Sequence, residues 1–455
     1  MVVFKRIPAL WWPLLVGSAL RLFGLDRLSY WLDEIASLVL SRPALGVIFA
    51  ANNEQIHHPP LYFALLHYWI IPGDGETWTR LLSALIGIGT IPVVYALGCV
   101  LFSRQVGGIA AWLLALSPWH IWYSQETRMY ILVGLWATLT LWLAVRWVHA
   151  PRWPLGLSYV VVTALGLYTD YTMFELWPLL VLLLPLWRRA RWSRALLRRW
   201  LALNALAALA YGPQLRYLPG FVKGLYTSDL LGANVGTPAA NLPRIVAALV
   251  VVGGLLIVAW VGLRRVPPAR LRQILAGGLL LALAGSLLMM LTPSATLLKR
   301  LFSILIPLLC LGQAWAMTQM RLAALRFRYW ALASALAVAL MFALVPKEPW
   351  RDVVADLDRQ AQPGDLVVIE PAYNTLALAY YDRNNLPRQG VDPQGLTPAF
   401  AQQVAAAQRV WLVLAYDARL DPQGQVRSWF AARYQPRTTQ DYYRITVQRY
   451  DLPTP

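Results

Sequence analysis

Long apolar runs separated by short polar stretches make up most of the first 345 residues. Several of these runs approach the roughly 20 residues that a helix needs to cross a bilayer, and we predict eleven spans. They lie at about 8–25, 79–102, 107–123, 129–147, 155–169, 173–187, 197–213, 243–263, 272–292, 300–318 and 329–345. The pattern predicts a mainly α-helical, polytopic membrane protein with about 11 transmembrane helices.

The pattern changes after residue 345. Short apolar or alternating stretches predict strands, and apolar residues at helical spacing predict one helix. The strands are "PGDLVVIEP", "RVWLVLAYD" and "DYYRITVQRYD", and the helix is "WRDVVADLDRQA". We therefore expect a transmembrane domain at 1–345 and a small external α/β domain at 346–455.

The long polar loop at 26–78 contains one ambiguous apolar stretch, "HHPPLYFALLHYWIIPGDGE" at 57–76. Its apolar part has about 12 residues, which is short of the roughly 17 that span a bilayer. We expect a helix that starts after Pro59 and Pro60 and lies at the outer membrane interface.

Composition supports a membrane protein, because 58% of the residues are hydrophobic and only 14% are charged. The net charge of +18 lies entirely before Lys347, since the remaining residues carry 12 basic and 12 acidic side chains. A basic excess inside a membrane domain indicates the positive-inside bias and argues against a nucleic-acid partner.

The charges also predict an orientation. With a cytoplasmic N-terminus, 18 of the 28 basic residues before residue 347 face the inside. All acidic residues of that region then face the outside: Asp26, Asp33, Glu34, Glu54, Asp74, Glu76, Glu126, Asp170, Glu175 and Asp229. This distribution predicts a multi-pass protein of the inner cell membrane with an external C-terminal domain.

Asp33 and Glu34 are adjacent acids that follow the first apolar run. Neighbours on a helix point about 100° apart, so the two cannot share one task. One carboxylate could accept a proton from a hydroxyl while the other binds backbone or a basic group. The alternative is a solvated pair, or a favourable charge at a helix N-terminus.

Basic residues cluster on the same outer face. Arg128, Lys299 and Arg300 stand at the outer ends of predicted spans, where they could hold a phosphate or extend to lipid headgroups. Glu126 could orient Arg128 or contact the substrate. Arg80 could pair with the nearby Asp74 and Glu76.

Histidine and aspartate supply the remaining candidates. His57 and His58 precede the double proline, and one of them could bind a divalent metal with Glu54 or Asp33, or a phosphate. Asp170 lies between two tyrosines at an external turn, where it could bind substrate or stabilise the turn. The sequence shows no nucleotide-type glycine loop, so a divalent metal is the one candidate cofactor.

Several of these motifs, in this order, resemble bacterial GT-C glycosyltransferases of the family-39 or protein mannosyltransferase-like group, which are related to the aminoarabinose transferase. They are "RLFGLDRLSYWLDEIAS", "HHPPLYF", "TRLLSALIG", "SPWHIWYSQETRMY", "KRLFSILIP" and "KEPWRDVVADL". The resemblance covers essentially the whole chain, but it is specific neither for one sugar nor for one acceptor.

The resemblance implies an inverting transfer of a sugar from a polyprenyl-phosphate donor to a lipid, glycan or protein acceptor on the external face. It implies that Asp33 is the general base and Glu34 its partner acid. The candidate donor- and substrate-binding residues remain His58, Arg80, Glu126, Arg128, Asp170, Lys299 and Arg300, and of these Arg128, Lys299 and Arg300 would stabilise the lipid phosphate. His57-His58 replaces the Glu-Lys of the aminoarabinose transferase, and Asp170 stands where many relatives have histidine.

Two other classes of protein compete with this interpretation. A transporter or lipid flippase would be expected to carry ionisable or helix-breaking residues at mid-bilayer, often in two repeated halves. Here the charges gather on one face and no halves repeat. In a structural or assembly protein the external acids would have no chemical role.

Overall fold

The computed structural model describes residues 10–55, 58–174, 177, 193–217, 296–318, 323–415 and 421–452. Contacts divide the chain into two compact units. One unit contains Met1–Leu25 and Leu40–Val345, and the other contains Asp26–Val39 and Pro346–Pro455. The segment Asp26–Val39, which we predicted as part of the transmembrane domain, therefore groups with the C-terminal residues.

The described part of the chain up to residue 345 is almost entirely helical. In chain order the helices are α1 (Trp11–Leu22), α2 (Leu32–Ser41), α3 (Leu45–Gln55), α4 (Leu61–Trp69), α5 (Glu76–Leu101), α6 (Arg104–Ala115), α7 (Pro118–Ser124), α8 (Tyr130–His149), α9 (Trp153–Leu167), α10 (Arg194–Tyr211), α11 (Thr296–Thr318) and α12 (Ala323–Leu344). The prediction of a mainly helical protein is confirmed.

Among the described residues, three helices are long and apolar enough to cross a membrane: α5, α8 and the part Phe327–Leu344 of α12. Two shorter apolar helices, α9 and Ile304–Thr318 within α11, accompany them. The predicted spans 243–263 and 272–292, and nearly all of 173–187, lie outside the described residues. The prediction of about eleven spans therefore stays a prediction.

The predicted span at 107–123 is not one continuous helix, because two helices, α6 and α7, occupy this stretch. Pro118 is the first residue of α7, and the Ser117 hydroxyl accepts a hydrogen bond from the backbone N–H of His120. A capping serine followed by proline begins a new helix, since proline lacks the N–H that would continue the old one.

Helix α4 begins directly after Pro59 and Pro60, where the sequence predicted a helix start. Its 9 residues extend only about 14 Å at 1.5 Å per residue. That length is about half of a bilayer's hydrocarbon thickness, so α4 cannot cross a membrane.

Helix α5 lies at the centre of the first unit and packs against α1, α6, α7 and α8. A Cβ on Gly98 of α5 would lie only 2.7 Å from the Cα of Gly107 in α6, so these two backbones touch. Helices α8, α9 and α10 form a neighbouring layer in which the buried rings of Trp147 and Tyr159 pack against Trp200 in tilted arrangements.

The break between α6 and α7 is stabilised by side chains from elsewhere. The buried guanidinium of Arg21 donates to the carbonyls of Leu114 (2.9 Å) and Ala115 (3.1 Å) at the end of α6. The amide of Gln125, directly after α7, donates in return to the carbonyl of Phe23 (2.7 Å), just beyond α1. These bonds satisfy helix-end carbonyls that lack an intrahelical partner.

The second unit contains an α/β arrangement. Its elements are α13 (Trp350–Gln360), β1 (Leu366–Glu370), α14 (Thr375–Tyr381), β2 (Arg388–Gly390), α15 (Pro398–Ala405), β3 (Arg409–Ala415), α16 (Gln425–Ala431), β4 (Thr438–Tyr442) and β5 (Ile445–Asp451). Within the described residues the sheet order is β2-β1-β3-β5-β4. Strand β1 is parallel to β2 and β3, whereas β5 is antiparallel to β3 and β4.

Each stretch predicted as a strand contains one, and the predicted helix is α13. The third stretch, however, is a hairpin and not one strand, because β4 ends at Tyr442 and β5 starts at Ile445. Arg444 in the turn has a φ of 63°, and this left-handed backbone reverses the chain.

Candidate active site

Asp33 and Glu34 lie in the first turn of α2. Glu34 is fully buried, and its Oε2 lies 3.0 Å from the Nζ of Lys347. The same oxygen accepts a hydrogen bond from the backbone N–H of Trp31 (3.4 Å), which is the way a glutamate in this turn caps a helix start. Glu34 thus has a basic partner, Lys347, that we did not predict.

Asp33 is half-buried, in contrast to its neighbour. Its carbonyl accepts the hydroxyl of Ser37 (2.8 Å), one turn further along α2. The turn therefore presents one acid that is enclosed and paired with a cation, and one acid that solvent or a substrate can reach. An accessible carboxylate has the chemistry of a general base.

In the first unit, His58 and Asp170 come together although they are far apart in sequence. His58 Nδ1 lies 3.6 Å from Asp170 Oδ2, and both side chains are more than nine-tenths buried. Asp170 Oδ1 also accepts the backbone N–H (2.9 Å) and the hydroxyl (2.7 Å) of Thr172. Asp170 therefore stabilises its turn and faces an imidazole at the same time.

Backbone contacts fix this pair. The N–H of Leu61, at the start of α4, donates to the carbonyl of Tyr168, just beyond α9 (2.9 Å). The bond holds the segment with His58 against the turn with Asp170. His57, the candidate metal ligand, lies outside the described residues.

Glu126 and Arg128 lie in the turn between α7 and α8, and both are buried. The N–H of Arg128 donates to the carbonyl of Glu126 (2.8 Å), and its guanidinium carbon lies 5.6 Å from the centre of the Tyr130 ring. The hydroxyl of Thr127 lies 3.0 Å from that of Thr79 in α5. The turn is thus anchored to α5 and holds a cation in a protected place.

Arg80 in the first turns of α5 is 1% exposed, and its guanidinium donates to the carbonyl of Leu25 (2.7 Å). Asp74, which we considered as a partner for Arg80, forms an ion pair with Arg42 at 2.7 Å. Lys299 and Arg300 are the fourth and fifth residues of α11, and their side chains are outside the described part of the chain.

No group of three or more histidine, cysteine, aspartate or glutamate residues is assembled within the ranges that the structure describes. His58 and Asp170 bring together two donor side chains. Within the described residues, His58 and Asp170 therefore form a buried imidazole–carboxylate pair.

A model of a known protein family matches part of the chain. The model of the dolichyl-phosphate-mannose-protein mannosyltransferase family matches residues 57–215. That range contains five of the predicted site residues: His58, Arg80, Glu126, Arg128 and Asp170. A comparison with curated protein sequences gives no match.

Solved structures share the fold. ArnT from Cupriavidus metallidurans in the apo state is 15% identical with a TM-score of 0.58, and the match covers 96% of this chain and 97% of that one. Its complex with undecaprenyl phosphate is 14% identical, with a TM-score of 0.54 and the same coverage of 96% and 97%.

An archaeal protein is also similar. The oligosaccharyltransferase AglB from Archaeoglobus fulgidus, in complex with an inhibitory peptide and a dolichol-phosphate, is 14% identical with a TM-score of 0.52. The match covers 89% of this chain and 69% of that one. These findings confirm the predicted resemblance to GT-C membrane glycosyltransferases related to the aminoarabinose transferase.

Proposed function

We propose that the protein transfers a sugar from a polyprenyl-phosphate-linked donor to an acceptor hydroxyl on the external face of the inner membrane, with inversion at the anomeric carbon. One observation carries this proposal. The mannosyltransferase family model spans the buried residues His58, Arg80, Glu126, Arg128 and Asp170. The fold shared with ArnT, which has been solved with undecaprenyl phosphate, supports the same class of donor.

The donor phosphate is assigned to the basic residues. Arg128 is 4% exposed in an anchored turn, so its guanidinium is held in place before a ligand arrives. A fixed guanidinium can form two parallel hydrogen bonds to a phosphate and stabilise the charge that develops as the phosphate leaves. The resemblance assigns Lys299 and Arg300 to the same task.

We assign deprotonation of the acceptor hydroxyl to Asp33. In the proposed step its carboxylate takes the proton of the acceptor hydroxyl, and the acceptor oxygen forms a bond to the anomeric carbon. The bond from that carbon to the donor phosphate oxygen breaks, and its electron pair leaves with the lipid phosphate. One displacement of this kind inverts the anomeric centre.

The experiment is a transfer assay with the purified full chain in lipid nanodiscs and a panel of polyprenyl-phosphate sugars. Release of lipid phosphate is followed together with labelling of the acceptor. We expect Asp33→Asn to lower turnover by about 10²- to 10⁴-fold, the usual contribution of general base catalysis. Asp352→Asn removes an exposed acid of the same unit and is the matched control.

Two results would contradict the proposal. The wild-type chain would release no lipid phosphate from any donor of the panel, or Asp33→Asn would turn over as fast as Asp352→Asn. The first result would rule out the proposed function, and the second would rule out Asp33 as the general base. If the Arg128→Ala variant showed an unchanged dependence on donor concentration, Arg128 would not contact the donor phosphate.

A further inference from the structure

The segment that leads into α2 rests on residues of the C-terminal part of its own unit. The backbone N–H of Arg351 donates to the hydroxyl of Ser29, and its guanidinium donates to the carbonyl of Asp26, each at 3.3 Å. The N–H of Tyr30 donates to the phenol oxygen of Tyr381 (2.8 Å). This segment is therefore held against α13 and α14 by hydrogen bonds.

Ring packing by Tyr30 strengthens this contact with α14. Its side chain is completely buried, and its ring lies 5.4 Å from the ring of Tyr380 in an edge-to-face arrangement. Such aromatic contacts add stability beyond the area that they bury. The bonds of Arg351 and Tyr381 thus come with a packed contact, and the approach to α2 is fixed before its first turn begins.

The first turn of α2 is then held by a buried ion pair. Lys347 has 8% of its side chain exposed, Glu34 has none, and the ammonium lies 3.0 Å from the carboxylate. The ammonium also lies 6.0 Å from the centre of the Trp31 ring. A buried pair of this kind contributes little net stability compared with apolar residues, so its clearest effect here is on geometry.

We infer that Lys347 is a positioning residue for the transfer reaction, acting through Glu34 on the turn that carries Asp33; this inference rests on the proposed function. Glu34 Oε2 joins the ammonium of Lys347 to the backbone N–H of Trp31. Asp33 lies between Trp31 and Glu34 in the sequence, in the same first turn of α2. The C-terminal part of the unit thereby fixes the direction of the Asp33 carboxylate, and this gives residues 346–455 a role in the chemistry of α2.

The test compares variants of the full chain in the transfer assay. Lys347→Met removes the cation, Lys347→Arg keeps it, and Glu34→Gln with Lys347→Met removes both charges. Arg444→Met is the matched control, because it breaks an ion pair with Glu348 (2.9 Å) that is 41% exposed on the arginine side.

We expect Lys347→Met to lower kcat by about 10- to 100-fold per folded molecule, because small misplacement of a reacting group costs rates of this size. The donor KM should stay within about twofold, since binding of the donor is assigned to other residues. Lys347→Arg and the double variant should recover part of kcat, and Arg444→Met should match the wild type. A purely structural role of Lys347 would lower the yield of folded protein and leave kcat per molecule unchanged.

A second measurement separates this inference from the proposed function. Hydrogen exchange of α2 in the same full-length proteins should be faster in Lys347→Met than in Arg444→Met and the wild type. An unchanged exchange rate in α2, or an unchanged kcat in Lys347→Met, would overturn the inference. Wild-type protein that transfers no sugar would instead overturn the proposed function, while exchange would still report whether Lys347 holds the turn.

Discussion

His58 Nδ1 lies 3.6 Å from Asp170 Oδ2, and the two side chains are 7% and 3% exposed. One residue precedes α4 and the other follows α9. The second oxygen of Asp170 is engaged by Thr172, so its two carboxylate oxygens have separate tasks. This separation allows each task to be tested on its own.

Asp170→Asn keeps an amide oxygen for Thr172 but removes the charge that faces His58. We expect the folded protein to keep its unfolding temperature and to lose transfer activity by about tenfold, because the negative charge 3.6 Å from the imidazole is lost. Asp170→Ala should lower both the activity and the unfolding temperature. Equal activities of Asp170→Asn and the wild type would show that Asp170 stabilises its turn and has no role in transfer.

Arg21→Met tests the buried guanidinium at the break between α6 and α7. It donates to the carbonyls of Gly17, Leu114 and Ala115 and bonds to His120 Nδ1 (2.8 Å). We expect the variant to lose about 3 kcal/mol or more of stability, because buried acceptors are left without a donor. Thermal unfolding in detergent measures the loss.

Arg146→Met is the matched control for this variant. Arg146 is exposed, and its guanidinium lies 5.0 Å from the ring centre of Trp142. An exposed contact of this kind contributes about 1 kcal/mol or less. Similar unfolding temperatures for the two variants would mean that Arg21 does not stabilise the break.

Asp358 in α13 gives a pH dependence. Burial, and then the neighbouring Asp382 carboxyl, raise the pKa of Asp358 above its ordinary value of 3.8. The folded state therefore binds this proton more tightly than the unfolded state, and stability falls as the pH rises from 3.8 through the raised pKa. Asp358→Asn should raise the unfolding temperature at neutral pH.

The gain should disappear near about pH 3, below the ordinary value of 3.8, where Asp358 is largely protonated in both states. Thermal unfolding at about pH 3 and at neutral pH measures the difference. Asp352→Asn, at an exposed position of the same helix, is the control. A gain that is equal at both pH values would contradict the assignment to a proton on Asp358.

The orientation is tested by labelling single cysteines in a chain that lacks Cys99 and Cys310. Gly73 is exposed, and a Cβ there meets no atom within 4 Å, so Gly73→Cys is compatible with the fold. Gln105, in the first turn of α6, is exposed as well. A membrane-impermeant maleimide should label residue 73 on intact cells, and residue 105 only after permeabilisation.

The converse labelling pattern, with residue 105 reached from outside, would reverse the predicted orientation of the membrane domain. Labelling of both sites on intact cells would contradict the assignment of α5 as a span between them. These two outcomes are distinct because the two sites stand before and after that one helix.

Sequence patterns predicted the long apolar helices well because about 20 apolar residues in a row leave few alternatives. They missed the break at Ser117, where the apolar run continues on both sides and only one Ser-Pro step marks a new helix. They also predicted strands in the C-terminal residues, but not the reversal at Arg444, which depends on a left-handed backbone.

The candidate site divides along similar lines. Adjacent acids, the histidine before the double proline and Arg128 stand out locally, because polar residues are rare in this chain. The partner of Glu34 did not stand out, since Lys347 is separated from it by 313 positions and no local pattern joins them. The pairing of His58 with Asp170 likewise depends on how α4 meets the end of α9.

The bonds at the break between α6 and α7 have a consequence for the assembly of the protein in its membrane. Arg21 supplies donors to the end of α6, and Gln125 supplies donors to the end of α1. The end of α1 therefore lacks this donor until Gln125 has been synthesised. Helix α1, with only 12 residues, therefore gains its last hydrogen bonds only after about a hundred further residues have been synthesised.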